Sequence, residues 1–298
     1  MVWKARKIKL FCFLAFYQLS LAHDCWAQNE YVDIYIRDDV YMNYTALLSG
    51  RSPLDVDDFG GQFVRRDVVD MVLLHQALIL GGFEKPFRYR PGNVNFRDSN
   101  LLDQGKQLLS FDTYWYEEAQ LKADKLFVSD PVIKKGEFYA GLYYAKNNEQ
   151  VANIQSIEDL SKLTAVSSSR WPVDWYTLSA LPLKELVDEP TWSSQAQIVN
   201  KQWADFMLIH LMPVLGNDFQ LANINLVSHP KWVILLDSSR HFVISRLHPD
   251  GERAFEALQK GLQKLRKQGK IQAAYRQAGL FPDMKQYKQL NVSDDKGK

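Results

Sequence analysis

The chain has 298 residues, 46% of them hydrophobic and 24% charged, which is enough apolar side chain for one large or two modest cores and too much for a disordered protein. A formal net charge of +1 sets up no global field, so neither nucleic acid nor an anionic membrane is expected as a partner. Aromatic residues reach 13% with eight Trp, and some of them are expected to line a pocket as well as fill the core.

Lys4, Arg6, Lys7 and Lys9 form a basic start, residues 10–21 are mostly apolar, and Cys25-Trp26-Ala27 ends in the small residue that a signal peptidase accepts. This reads as a secretory leader, residues 1–27, cleaved near Ala27, because an apolar run of about twelve residues falls short of the roughly twenty a membrane span needs. Cleavage removes both cysteines, Cys12 and Cys25, so neither disulfide nor thiol chemistry is expected of the exported chain.

Residues 31–36 alternate with period two, a strand whose carboxyl end carries Arg37, Asp38 and Asp39 to solvent or to a ligand. Residues 49–61, with Pro53, Gly60 and Gly61, read as a loop. Residues 63–80 place Val64, Val68, Met71, Val72, Leu74, Leu78 and Ile79 on one broad helical face, stopped by Gly81-Gly82. His75 in that helix has no metal-type residue at i+3 or i+4 and reads as packed. Residues 86–90 form a short strand, Pro91-Gly92 a turn, a helical stretch runs to Gln107, and residues 107–112 form another strand. Alternating strand and helix argues for a mainly parallel sheet, whose ligands sit beyond the carboxyl ends of the strands. Residues 37–39 and 112–115 would both lie at such ends.

The stretch from 109 to 146 carries the most information. A strand end delivers Asp112, Thr113, Tyr114 and Trp115 to one place; a short helical segment, a turn at Ser129-Asp130-Pro131 and a long strand over 137–146 follow. Ser156-Ile157-Glu158-Asp159 is a capping box opening a short helix. Residues 164–166 are a strand running into Ser167, Ser168, Ser169, Arg170, Trp171 and Pro172, where backbone N–H groups at a helix start form either an anion cradle or an ordinary N-cap cluster. Helical patterns continue to about residue 187 and over 195–202; residues 204–210 and 232–237 read as buried strands. An alternating strand over 241–246 feeds a long helix with Phe255, Leu258, Leu262 and Leu265, stopped by Gly269. A short helix over 271–278 stops at Gly279, and the polar tail, residues 285–298, is expected to fray.

Taken in order, three segments resemble the bacterial family 3 extracellular solute-binding proteins. They are Leu126-Phe127-Val128-Ser129-Asp130-Pro131 with Gly136 and the strand to Lys146, then residues 156–166, then the strand, amphipathic helix, glycine and short helix over 241–281. The resemblance implies an α/β fold, a two-lobed periplasmic-binding-protein-like clamshell with two hinge strands. Residues 28–142 plus 240–284 would form lobe 1, residues 147–237 lobe 2, and residues 137–146 and 236–244 the hinge crossings. It implies a monomeric periplasmic protein that captures a small polar or aromatic solute between its lobes for the inner-membrane permease of an ABC importer. The alternatives are a ligand-sensing module for a membrane-bound receptor and a dehydratase-like enzyme on the same fold. Against the enzyme, the sequence has no Gly-x-Ser-x-Gly, no His-Glu-x-x-His and no cysteine nucleophile, so no catalytic residue, cofactor or metal is expected.

Family members that bind amino acids carry an Arg shortly before the Phe-Ser-Asp-Pro segment, gripping the carboxylate in a bidentate fork. Residues 117–125 offer only Lys122 and Lys125, so amino-acid specificity is not carried over. The expected ligand-binding residues are Asp39, Asp112, Thr113, Tyr114, Trp115, Ser168, Ser169, Arg170, Trp171 and His210. Tyr114, Trp115 and Trp171 would supply aromatic walls and Arg170 an anion partner. As exposed positions, Trp115 and Arg170 are expected to tolerate alanine at a cost below about 1 kcal/mol.

Overall fold

The computed structural model describes residues 30–61, 63–92, 97–211, 218–221 and 223–292. The expected leader, residues 1–27, lies outside the described residues. The first element among the described residues is β1 (Val32–Arg37), which forms because Val32, Ile34 and Ile36 alternate with polar residues and bury their side chains. Then come α1 (Asp38–Leu48), α2 (Arg66–Gly81), β2 (Phe87–Gly92), α3 (Arg97–Asp103), β3 (Tyr114–Trp115), α4 (Tyr116–Gln120), β4 (Leu126–Val128) and β5 (Tyr139–Ala145). Next follow α5 (Glu149–Ala152), β6 (Thr164–Ser167), α6 (Pro172–Ser179), β7 (Glu185–Asp188), α7 (Trp192–Asn200), β8 (Met207–His210), β9 (Asp218–Leu221) and β10 (Ile224–Leu235). The return is β11 (Arg240–His241), β12 (Val243–Ser245), α8 (Gly251–Lys267), α9 (Lys270–Gln277) and β13 (Lys288–Gln289).

These elements build a two-lobed α/β clamshell. On one side β1 and β2 pair in parallel, with Val32 opposite Phe87, while β3 pairs with β11 and β4 with β12, both antiparallel. The core there is α2 against α8. A Cβ on Gly261 would stand 1.8 Å from the Ala77 carbonyl oxygen, and one on Gly81 would stand 1.8 Å from that of Ala257. The two helices therefore meet backbone to backbone, and only glycine fits at either crossing point. On the other side β10 and β8 flank β5, both antiparallel to it, and β6 pairs in parallel with β7. The chain crosses between the sides through Phe138 into β5 and back through Leu236 out of β10. The Leu236 N–H donates to the Phe138 carbonyl at 2.9 Å, which ties the two crossings together.

Several expectations are corrected. Residues 107–112 are not a strand. The Gln107 side chain donates to the Leu109 carbonyl at 2.7 Å, and Leu109 keeps a single bridge, to Ile244. The helical pattern running to residue 187 breaks after Ser179, because Pro182 cannot continue a helix, and residues 185–188 are the strand β7. The strand over 241–246 is two short ones with different partners, split where the Phe242 N–H turns to the Ser129 hydroxyl. The tail does not fray over its described part: β13 pairs with β10, and Leu290 is 5% exposed. Residues 293–298 lie outside the described residues. Among the described residues no helix is long and apolar enough to cross a membrane.

Candidate functional site

Where β1 ends, the N-termini of α1 and α2 converge with the turn at Asp112-Thr113 and with Arg240 from β11. Helical spacing sets the first contact, since Arg66 and Asp70 lie one turn apart on α2 and pair at 2.6 Å. The same Arg66 Nη1 donates to Asp112 at 2.5 Å and to the Thr113 hydroxyl at 3.1 Å, and its Nη2 donates to Asp112 at 3.2 Å. The Thr113 hydroxyl donates onward to Asp70 at 2.8 Å and accepts from Arg240 Nε at 2.8 Å. Arg240 Nη2 donates to the Thr113 carbonyl and stands 3.5 Å from Asp112. Its guanidinium lies over the Trp115 ring, 4.5 Å from the centroid, a cation–π contact in a drained setting. From behind, the Tyr275 hydroxyl of α9 donates to Asp70 at 2.6 Å. Asp70, Thr113 and Arg240 are all buried.

A second, more exposed layer continues the pattern outward. Arg37 and Arg65 both bridge Asp39 and Asp67, with Arg65 at 2.7 Å from Asp39 and 2.8 Å from Asp67. Each arginine is thus a fixed fork between two carboxylates, the geometry guanidinium groups favour.

The fields are uneven. Burial pushes Asp112 up, but Arg66 and Arg240 outweigh it and hold its carboxyl well below the usual carboxylate range. At Asp70, fully enclosed, burial wins over Arg66 and the carboxyl is raised. Arg37 and Arg65 overcome burial at Asp39 and bring it to about 2. Arg240 is lowered, first by burial and then by Arg66, yet stays a cation.

Three groups face this cluster. His210, the last residue of β8, is lowered to about 4 by burial, reinforced by the Arg66 charge, so its ring is neutral at pH 7. Its Nε2 is buried with no hydrogen-bond partner among the described residues. Asp174, in the first turn of α6, is raised to about 6 by burial, with Arg240 and the Trp115 indole, as a hydrogen-bond donor, pulling the other way. Glu118 of α4 is raised by burial too, with Arg240 lowering it and Asp174 raising it.

Of the residues expected from sequence, Asp112, Thr113 and Trp115 meet in the cluster, Asp39 sits at its exposed rim and His210 faces it. Trp115 is buried, packed edge-on against Phe138 at 5.1 Å between ring centroids. Tyr114, its neighbour on β3, points to the opposite face and packs with Leu102, Ala119, Leu126 and Val243. At residues 168–171, Ser168 is buried and Arg170 exposed. The Ser169 N–H and hydroxyl donate to Asp188 at 2.9 and 2.6 Å, so that end of the turn already holds a carboxylate of the chain itself. Trp171 stands half-buried as the N-cap of α6, three residues before Asp174.

Sequence reasoning missed Arg65, Arg66, Asp70, Asp174, Arg240 and Tyr275. The Arg66 and Asp70 spacing at a helix start was the one local signal available. Lys122, one of the two lysines at residues 117–125, is committed to Asp103 at 3.0 Å and to the Ser99 hydroxyl. Among the described residues no group of three or more His, Cys, Asp or Glu is placed to hold a metal.

No protein-family model and no curated protein matches the chain. Solved structures do. The chain is similar to the periplasmic VFT2 domain of BvgS from Bordetella pertussis, with 12% identity, 84% of this chain and 94% of that one covered, and a TM-score of 0.56. It is similar to an ancestral arginine-binding protein bound to arginine, with 13% identity, coverage of 84% and 99%, and a TM-score of 0.52. A mutant of ArgBP from T. maritima aligns with 15% identity, coverage of 84% and 95%, and a TM-score of 0.50. At these identities the likeness is one of fold, the clamshell of the type II periplasmic binding proteins.

Proposed function

We propose that the chain is a divergent member of the family 3 solute-binding proteins, a monomer working in the periplasm after loss of residues 1–27. It captures a small polar or aromatic solute between lobe 1, residues 28–142 plus 240–284, and lobe 2, residues 147–237. The observation that carries this reading is the arrangement across the hinge. Arg240, Asp112, Thr113 and Trp115 stand on one side, and His210 and Asp174 on the other. Burial where these faces meet raises the carboxyls of Asp174 and Glu118, a desolvation cost. A solute that touches both faces offsets that cost only when the lobes are shut, so it selects the closed form. The role is binding rather than catalysis, because the strongest charges are spent on one another: Arg66 on Asp70 and Asp112, Arg65 on Asp39 and Asp67.

Delivery to an ABC importer and signalling through a membrane receptor use the same closure. The likeness to a periplasmic domain of BvgS favours keeping the sensing role beside the transport one. Neighbouring genes for a permease and an ATPase would mark import, and a membrane receptor would mark sensing. A thermal-shift screen of residues 28–298 against small polar and aromatic solutes tests the binding role. A true solute raises the melting point in proportion to ln[solute] above saturation, and Asp174→Ala weakens it. A complete screen without any such solute at millimolar concentration sinks the proposal.

A further inference from the structure

The described part of the tail does something the two hinge strands do not. After α9, Leu280 is buried and Phe281 packs on Tyr275, which anchors this end to the side of the hinge carrying α2 and α8. Asp283 then closes a turn, its carboxylate accepting from the Lys285 N–H at 3.0 Å and its carbonyl from the Gln286 N–H at 2.8 Å. Five residues after Asp283, the chain has reached the other side. Lys288 and Gln289 lie opposite Trp232 and Val233 of β10, and the Leu290 N–H donates to the Val233 carbonyl at 2.9 Å. Asn291 finishes the contact like a backbone amide: its Oδ1 accepts from the Leu235 N–H and its Nδ2 donates to the Leu235 carbonyl, each at 2.9 Å.

The place of this contact matters. β10 has β5 along one edge, while on the other β9 covers only Ile224 to Val227. The tail covers the stretch nearest the pivot, since Leu235 directly precedes Leu236, whose N–H ties the two crossings together. We propose that residues 280–291 are a strap, a third connection across the hinge, which limits how far the cleft opens. Opening the lobes must unwind the Asp283 turn or peel Leu290 and Asn291 off β10. The turn is the slack, and β13 is the catch. This regulation of the same cleft rests on the two-lobed hinge, not on any solute.

Two variants of residues 28–298 test it without a ligand: Asn291→Ala, and truncation after Met284. Small-angle scattering is read together with amide exchange. Losing two hydrogen bonds to Leu235 raises the exchange rate of its amide roughly tenfold or more, while the amides of Leu142 and Tyr143 in β5 keep their rates. The radius of gyration of the solute-free chain rises in both variants. Should truncation abolish folding, Asn291→Ala decides alone. Unchanged exchange at Leu235 overturns the strap. Faster exchange with an unchanged radius of gyration also overturns it, since the tail would then only cap the edge of β10. Neither result bears on whether a solute binds.

Discussion

Replacing Arg240 by Met is the perturbation on which the charged cluster can be judged. Methionine keeps a stem over Trp115 and Phe138 and removes the charge. Two hydrogen bonds from a guanidinium to Thr113 are lost, each worth about 1.5–3 kcal/mol in this class. Asp112 and Asp70 are left with Arg66 as their shared arginine, and breaking a buried pair from one side costs about 3–5 kcal/mol. Against this, Arg240 is itself strained, lowered by burial and by the Arg66 charge, and its removal relieves both. The net expectation is a loss of about 3 kcal/mol. Urea unfolding at pH 7 measures it as a fall in midpoint with unchanged slope. Adding Asp112→Asn to Arg240→Met should cost less than Asp112→Asn in the wild type, because the carboxylate has already lost one of its cations. A single variant within 1 kcal/mol of wild type, or strictly additive costs in the double variant, refutes the cluster as a coupled unit.

Other outcomes follow from particular contacts. Trp115→Ala should lose about 3–5 kcal/mol, because the ring is 5% exposed against Phe138 and Arg240, which corrects the expectation of an exposed position. Arg170→Ala, at an exposed position, should stay within about 1 kcal/mol in the same denaturation assay. Gly261→Ala drives a methyl group onto the Ala77 carbonyl and should cost about 3 kcal/mol or abolish the thermal transition. Acid should destabilise the fold through its buried histidines, while two raised carboxylates oppose them. His75, 1% exposed, is lowered by burial from 6.5 to about 4, so the unfolded chain binds a proton that the native chain refuses. That stability is whole above pH 6.5 and is lost as pH falls toward 4, about 3 kcal/mol for this residue, while the raised Asp70 and Asp174 act in the opposite direction over the same window. His210 and His229, also lowered to about 4 by burial, add to the histidine side. A melting temperature that rises from pH 6.5 to 4.5 would show that the carboxylates outweigh the histidines.

Sequence reading succeeded where a pattern is local. The alternation of β1, the stripe of α8 and the capping box at Ser156 each follow from neighbours within a few residues, and all are present; α2 forms where expected but is buried on every side over residues 67–78, with Val64 outside it and Ile79 exposed. It failed where a partner is distant. β7 and β13 are short and polar and exist because β6 and β10 accept them. Only Val40 and Tyr44 of α1 are buried, too few to make a periodic signal. The site shows the same division. His210 was legible as a polar group at a strand end, and Asp112 and Thr113 as polar groups beside aromatics although the strand expected to deliver them is absent, whereas Arg240 and Asp174 reach the cluster only because the return strand and α6 are folded against it. The carboxylate that meets Ser169 comes from Asp188, at the end of a strand the sequence presented as helix.

Under the proposed function, the cleft closes on a solute. The most direct measurement of that closure is the radius of gyration of residues 28–298 by small-angle scattering, with and without a saturating solute identified by thermal shift. A two-lobed binding protein becomes more compact at saturation, and the change is lost when Asp174→Ala removes the facing carboxylate. A solute that saturates the protein while leaving its radius of gyration unchanged would contradict closure between the lobes as the binding event.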